Sequence, residues 1–207
     1  MRSRTATSLS REQRTSKTLE EWLAACVATP GITALNDLEA ARDVLLADSL
    51  RGLPLVERVD GPIVDVGSGG GVPGIPLAVE LPQRLVVLLE AERRKCAFLE
   101  QWAPPNARVV WGRAEEQSTD WAGVAVAKAL AHPPTAAEWC LPLVRPGGAV
   151  VLWVGPSAEA ERVARVAERL AAEPADSPAG FIVLRKVGPT PPGFPRRAGM
   201  AKKRPLA

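Results

Sequence analysis

The sequence has few of the residues that build metal centres, disulfide frameworks and membrane spans. Its 207 residues include one histidine and three cysteines, Cys26, Cys96 and Cys140, and no Cys-x-x-Cys pair. This argues against a structural zinc site and a disulfide framework, and it is typical of a protein in a reducing compartment. No apolar run approaches the roughly 18–20 residues of a membrane span. The basic N-terminus has no apolar signal-peptide core, so we expect a cytoplasmic protein. From the preceding observations we also expect that it binds neither a metal nor a membrane.

Charge is distributed unevenly along the chain. The formal net charge is +3, but residues 1–17 carry five basic groups and one acid, and residues 185–207 carry seven basic groups and no acid. The segment between them has an excess of acids. Basic ends on an acidic body favour a polyanionic partner, most often a nucleic acid. Two solvated tails are the alternative that charge alone leaves open.

Short apolar runs alternate with helical stretches after residue 61, which predicts a doubly wound, mostly parallel α/β sheet of the Rossmann-like kind. The predicted strands are 62–66, 84–89, 107–111, 123–128, 148–153 and 180–186, and the helices between them are 73–80, 92–103, 133–143 and 157–172. Two further helices, 16–28 and 37–50, form an N-terminal extension. We therefore divide the chain into a disordered basic N-terminus (1–15), a helical extension (16–60), the α/β domain (61–187) and an extended, Pro-rich basic tail (188–207).

A glycine loop follows the first predicted strand. Asp65-x-Gly67-x-Gly69-x-Gly71 fits the loop of S-adenosylmethionine-dependent methyltransferases, whereas a register that starts at Gly69 spells a dinucleotide fingerprint. The first register is favoured because Gly67 follows the strand directly. Asp65 also suits the ammonium group of a methyl donor and would repel a pyrophosphate. A bare structural turn is the alternative without a ligand.

Acidic residues stand where a nucleoside would need them. Glu90 ends the second predicted strand, 19 residues after Gly71, where nucleoside-binding α/β folds place a carboxylate on ribose hydroxyls. Ala114 and Glu115 follow the third strand, where an adenine pocket would lie. Surface acids at the ends of strands are the alternative interpretation of Glu90 and Glu115.

The stretch Val64-Asp-Val-Gly-Ser-Gly-Gly-Gly-Val-Pro-Gly-Ile-Pro-Leu77 resembles the glycine loop of the ribosomal RNA small subunit methyltransferase G family, also called glucose-inhibited division protein B. Weaker matches run in the family's order from Ile32-Thr-Ala34 to the tail. The resemblance implies a class I methyltransferase that uses S-adenosylmethionine to methylate N7 of a guanine in 16S rRNA. By position it also implies a set of cofactor-binding residues: Gly67, Val72, Ala114, Glu115 and Lys128.

Lys128 stands where the family has an arginine, and we expect it to position a cofactor group or the RNA. A plain lysine at the end of a strand is the alternative. Guanine N7 carries a lone pair and no proton, so no general base is expected. His132, the single histidine, is interpreted as a surface loop residue near the pocket rim. Phosphate contacts are expected from the basic tail, at Arg196, Arg197, Lys202, Lys203 and Arg204.

Several alternatives stay open at this stage. The chain could methylate a small molecule, or it could be an RNA- or ribosome-binding paralogue with weakened catalysis, since Val154 stands where the family has a lysine. A dehydrogenase is the weakest alternative, because of the glycine register. The partner that we expect is 16S rRNA or the small ribosomal subunit, bound by a monomer.

Overall fold

Seven strands form one sheet in the computed structural model, which describes residues 11–156 and 159–207. The strand order is β3-β2-β1-β4-β5-β7-β6. The strands are β1 (Ile63–Val66), β2 (Val86–Glu90), β3 (Ala107–Trp111), β4 (Ala122–Lys128), β5 (Val144–Trp153), β6 (Ala172–Ala175) and β7 (Phe181–Lys186). The first five strands pair in parallel, while β7 runs antiparallel to both of its neighbours. The prediction of a doubly wound, mostly parallel sheet is confirmed.

Helices cover both faces of the sheet. They are α1 (Arg11–Ala28), α2 (Leu38–Ala41), α3 (Asp48–Leu50), α4 (Leu53–Val56), α5 (Gly74–Glu80), α6 (Arg93–Trp102), α7 (Pro133–Cys140), α8 (Ala160–Arg169) and α9 (Met200–Lys203). The extension, α5 and α6 share one apolar core with one face of the sheet, and α7 and α8 share a second core with the other face. Strands such as β2 are buried along their whole length, which explains their continuous apolar sequence.

The N-terminal extension packs on the sheet through α1. Trp22 and Leu23 are fully buried there, as the helical spacing of apolar residues predicts. The helix begins at Arg11, so the prediction of disorder is wrong for residues 11–15, and residues 1–10 lie outside the described residues. Between α2 and α3 the chain forms a π-helical segment, Arg42–Ala47, within the predicted second helix.

Strand β6 was not expected from the sequence. The predicted helix 157–172 is shorter, α8 being Ala160–Arg169, and the chain after it pairs antiparallel with β7. The sequence of β6, Ala-Glu-Pro-Ala, is short and contains Pro174, which an edge strand tolerates because one side of its backbone needs no partner. This is why the pattern of apolar residues did not reveal it.

A fully buried lysine ties the end of the sheet to the start of the tail. The Lys186 ammonium lies 3.1 Å from Asp120 Oδ1 and 2.8 Å from the Thr190 hydroxyl, and it donates to the carbonyls of Leu141 and Val144. Burial holds the pKa of Lys186 below its usual value, although the bond to Asp120 opposes this shift. The four acceptors compensate the ammonium for the water that it loses.

The prediction of an extended C-terminal tail is wrong. The tail folds back onto the body and contains the short helix α9. The Arg196 guanidinium forms a two-pronged ion pair with Glu138 of α7, with N···O distances of 2.6 and 2.7 Å, and Glu138 is 4% exposed. Arg162 and Arg169 of α8 donate to main-chain carbonyls at the end of the tail, 2.5 Å from Ala207 O and 3.1 Å from Leu206 O. The tail is therefore part of the folded body.

Neither a membrane-crossing helix nor a metal cluster emerges from the part of the chain that the structure describes. No helix within residues 11–156 and 159–207 has the length and apolar character needed to cross a membrane. The same residues contain no group of three or more histidine, cysteine, aspartate or glutamate side chains arranged to hold a metal ion. All three cysteines are buried free thiols.

Candidate cofactor site

A cavity of about 530 Å³ lies at the carboxyl ends of β1 to β4. Its walls are the loops that follow these four strands, with Gly67 after β1, Ala91 after β2, Gly112 after β3 and Ala129 after β4. Ligands of open α/β sheets bind at this edge, where the strand order reverses. The volume is within the range of about 300–1,000 Å³ typical of small-molecule sites.

The glycine loop is held from behind by a buried carboxylate. Asp65 Oδ2 accepts hydrogen bonds from the Ser68 hydroxyl at 2.7 Å and from the Gly74 main-chain N–H at 3.0 Å. Burial raises the pKa of Asp65 to about 7, although these two hydrogen bonds lower it, and the charge of Glu90 adds to the rise. Asp65 is fully buried and does not line the cavity. The expectation that it meets the ammonium group of the methyl donor is therefore wrong; it fixes the loop instead.

Two glycines show why the loop needs this residue type. Gly69 has φ +58° and no atom nearer than 3.9 Å to the position of a Cβ, so a side chain there would project into open space at the cavity. Gly71 has φ +97°, and a Cβ would meet Ile75 at 2.4 Å. Gly71 therefore shapes the turn without lining the cavity, contrary to the prediction that it binds the cofactor.

Trp22 of α1 supports the same loop from outside. Its indole N–H donates to the carbonyl of Gly70 at 2.9 Å. The extension thus contributes both core packing and a hydrogen bond that orients the ligand-facing backbone.

Glu90, at the end of β2, is 7% exposed and lines the cavity. Its carboxylate accepts hydrogen bonds from the Gly69 N–H at 2.9 Å and the Glu92 N–H at 2.7 Å. These bonds fix the direction of the carboxylate and leave further lone pairs for a hydroxyl donor. The arrangement suits the vicinal hydroxyls of a ribose.

The loop after β3 connects the cavity to the tail. Ala114 is buried in the short 3₁₀ turn Ala114–Glu116 and lines the cavity beside Glu115. Glu115 Oε1 accepts a hydrogen bond from the Gly199 N–H at 3.1 Å, at the start of α9. The predicted adenine wall is therefore also the point where the tail docks.

Lys128, at the end of β4, fastens the extension to the sheet. Its ammonium lies 2.6 Å from Asp48 Oδ2 and also donates to the carbonyl of Val44 in the π-helical segment. Burial opposes ionisation of Asp48, but hydrogen bonds from Lys128 and Arg51 outweigh it and hold the pKa of Asp48 low. Lys128 therefore acts on the cavity by placing the wall formed by Val44 and Leu45.

Most of the predicted cofactor-binding residues meet at this one cavity. Seven line it: Gly67, Gly69, Val72, Glu90, Ala114, Glu115 and Lys128. Their contact with the cofactor stays a prediction. Of the five predicted RNA-binding residues, Arg197, Lys202, Lys203 and Arg204 are exposed. Arg196 is half-buried and pairs with the buried Glu138, so the prediction that it meets RNA conflicts with this ion pair.

Two wall residues were not expected at the cavity. Trp139 of α7 is 8% exposed, as a core residue should be, but it also lines the cavity, and its indole N–H is buried without a hydrogen-bond partner among the described residues. Lys202 of α9 lies with its ammonium 5.3 Å from the centre of the Trp139 ring. Local sequence gave no signal for this pair, because the contact depends on the folding back of the tail.

The strand order, the glycine loop and the carboxylate at the end of β2 fit S-adenosylmethionine. A ligand with an adenosine group would meet the backbone of Gly67 and Gly69, which line the cavity, and an oriented carboxylate at Glu90. The fold and the site together define a class I S-adenosylmethionine-dependent methyltransferase.

Comparison with known proteins narrows the class to one family. The model of the rRNA small subunit methyltransferase G family matches residues 14–176. The ribosomal RNA small subunit methyltransferase G of Synechococcus elongatus is 35% identical over 84% of this chain and 82% of its own length. The protein of the same name from Thermotoga neapolitana is 37% identical over 84% of each chain. The chain therefore belongs to the rRNA small subunit methyltransferase G family.

Solved structures share the fold at low sequence identity. The S-adenosylmethionine-dependent methyltransferase SibL superposes with a TM-score of 0.55 at 14% identity, over 89% of this chain and 71% of that one. A 16S rRNA N2 G1207 methyltransferase of T. thermophilus superposes with a TM-score of 0.50 at 16% identity, over 69% of this chain and 40% of that one. These matches confirm the fold class.

Proposed function

We propose that this enzyme methylates N7 of a guanine in 16S rRNA, acting as a monomer in the cytoplasm. The observation that carries the proposal is the cofactor cavity with a basic helix at its edge. Lys202 of α9 lines the cavity, and Lys203 and Arg204 follow it at the exposed surface. A small substrate would have no use for this basic surface, whereas an RNA backbone would neutralise it.

The chemistry proposed for the site needs orientation more than proton transfer. S-adenosylmethionine supplies an electrophilic methyl group on a sulfonium sulfur when it is bound. Guanine N7 has a free lone pair and no proton to lose, so no general base is required. No histidine stands among the described residues that line the cofactor cavity. The residues of this chain would hold the two reactants in line, through the glycine loop, Glu90 and the wall placed by Lys128.

The central experiment is transfer of a labelled methyl group. The purified protein is incubated with labelled S-adenosylmethionine and with either undermethylated 16S rRNA or small subunits that contain it, and the label is mapped. Label on one guanine, at a site sensitive to borohydride and aniline cleavage, is the expected result. Methylation of a small molecule alone would favour the small-molecule alternative. Cofactor binding without any transfer would favour the paralogue with weakened catalysis.

A salt titration tests whether the tail is the RNA contact. Replacing Arg197 and Lys203 by alanine removes two exposed charges, and it should reduce the slope of log affinity against log salt by roughly 1.4–1.8 units. The matched control replaces Arg58 and Arg108, two exposed residues near the amino ends of β1 and β3. This control should leave the slope unchanged. If both double variants reduced the salt slope equally, the tail would not be the RNA contact.

A further inference from the structure

A second cavity, of about 380 Å³, lies beside the cofactor cavity. It is formed by the loop after β4 at Ala131 and His132, the start of α7 at Pro134, and the start of α8 at Glu159 and Arg162. Lys202 lines both cavities and forms part of the boundary between them. Two ligands in the two cavities would therefore be neighbours.

A carboxylate without a full set of partners lies in this second cavity. Glu159 Oε1 accepts a hydrogen bond from Arg162 Nη1 at 2.6 Å. Oε2 is shielded from solvent and has no hydrogen bond within the described residues; His132 Nδ1 lies 3.5 Å away. A buried acceptor without a donor is costly, so a ligand that displaces the exposed His132 ring and brings N–H groups would satisfy this oxygen.

We propose that this cavity takes the target guanine and that Glu159 binds its Watson–Crick edge. Guanine is the RNA base that presents two adjacent donors there, N1–H and the 2-amino group, and a carboxylate presents two adjacent acceptors. Adenine and cytosine present an acceptor beside their amino group, and uracil presents one donor between two carbonyls. Enzymes that act on a base take it out of the stack and read this edge in a pocket.

The orientation agrees with chemistry at N7. N7 lies on the Hoogsteen edge of guanine, turned away from N1 and the 2-amino group, and O6 lies between N7 and N1. A guanine held by Glu159 would turn N7 away from this carboxylate, with N7 at the boundary with the cofactor cavity in the proposed complex. Lys202 lies at that boundary, where its ammonium can donate to O6 while the lone pair of N7 stays free. This assignment rests on the proposed function and adds the residue that would select guanine.

Binding of nucleotides tests the assignment without any methylation. Guanosine 5′-monophosphate and inosine 5′-monophosphate, which lacks the 2-amino group, are titrated by NMR into the protein saturated with S-adenosylhomocysteine. The wild type should bind the guanosine nucleotide about ten-fold more tightly, because inosine loses one hydrogen bond to a charged group. The Glu159→Gln variant should bind the two nucleotides with about equal affinity. The control Glu161→Gln, which removes an exposed charge from the first turn of α8, two residues after Glu159, should keep the preference of the wild type.

A merely structural role of Glu159 would lower the affinity for both nucleotides and leave their ratio unchanged, which would overturn the proposal. Absence of any preference in the wild type would overturn it as well. The second measurement is single-turnover methylation of an rRNA fragment that carries guanosine or inosine at the mapped position. If the wild type methylates rRNA and Glu159→Gln discriminates against inosine as strongly as the wild type does, the guanine assignment fails while the proposed function stands. If no rRNA is methylated, the proposed function fails and nucleotide binding alone decides the assignment.

Discussion

Replacing Arg196 by methionine tests whether the tail belongs to the folded body. The change keeps the aliphatic stem and removes the guanidinium that pairs with Glu138, and it leaves a carboxylate only 4% exposed without its partner. Loss of one member of a buried pair costs about 3–5 kcal/mol. A chain of this size loses about 2–4 °C in melting temperature for each kcal/mol, so we expect a fall of roughly 6–20 °C.

The assay is thermal unfolding of the protein without ligand, with Arg197→Met as the matched control. Arg197 is the exposed neighbour of Arg196, and its replacement should shift the melting temperature by no more than about 1–2 °C. The double variant Glu138→Leu, Arg196→Met should recover most of the loss, because no charge is then left unpaired. If Arg196→Met melts like the wild type, the ion pair is absent in solution and the tail is free.

Three further predictions concern the loop and its supports. Gly69→Val should abolish S-adenosylhomocysteine binding in calorimetry, because a branched side chain would enter the cavity at a positive φ, while Gly155→Ala, which meets no atom within 4 Å, should bind normally. Lys128→Ala should lower turnover by roughly ten-fold through loss of the contacts with Asp48 and Val44, and Lys128→Arg should preserve it; equal rates for Lys128→Ala and the wild type would refute the role. Asp65 has a pKa raised to about 7, so its folded state holds a proton that the unfolded state releases near pH 4. The free energy of unfolding of the wild type should therefore fall, relative to that of Asp65→Asn, by about 1.4 kcal/mol per pH unit between pH 4 and 7. Urea unfolding at several pH values measures this, and the same pH dependence for both proteins would contradict the prediction.

The parts of the fold that follow from local patterns could be predicted from the sequence. Six strands were expected and all six are present, with ends that differ from the prediction by at most four residues. The buried parallel strands among them are recognisable because they are continuous apolar runs. The gathering of Gly67, Glu90 and Ala114 at one cavity follows from the rule that parallel strands bring their carboxyl ends to one edge.

The errors come from contacts between residues far apart in sequence. Asp65 was assigned to the ligand because of its charge, but its burial behind the loop depends on α5, which returns the Gly74 N–H to it. The ion pair of Arg196 depends on Glu138, 58 residues away. A basic, Pro-rich segment favours the interpretation of an extended, solvated chain. Its local sequence does not show that one of its arginines pairs with a buried glutamate on α7.

The π-helical segment Arg42–Ala47 limits how this region can vary over time. Lys128 binds the segment through the carbonyl of Val44, and every amino acid supplies a carbonyl at that place. Residue identity at position 44 is therefore free to drift without loss of this bond. The number of residues is not free, because removing one would turn the residues that follow by roughly a quarter of a turn around the helix axis and carry Asp48 away from the lysine. Selection at this wall of the cavity would therefore act on the number of residues in the segment more than on their identity.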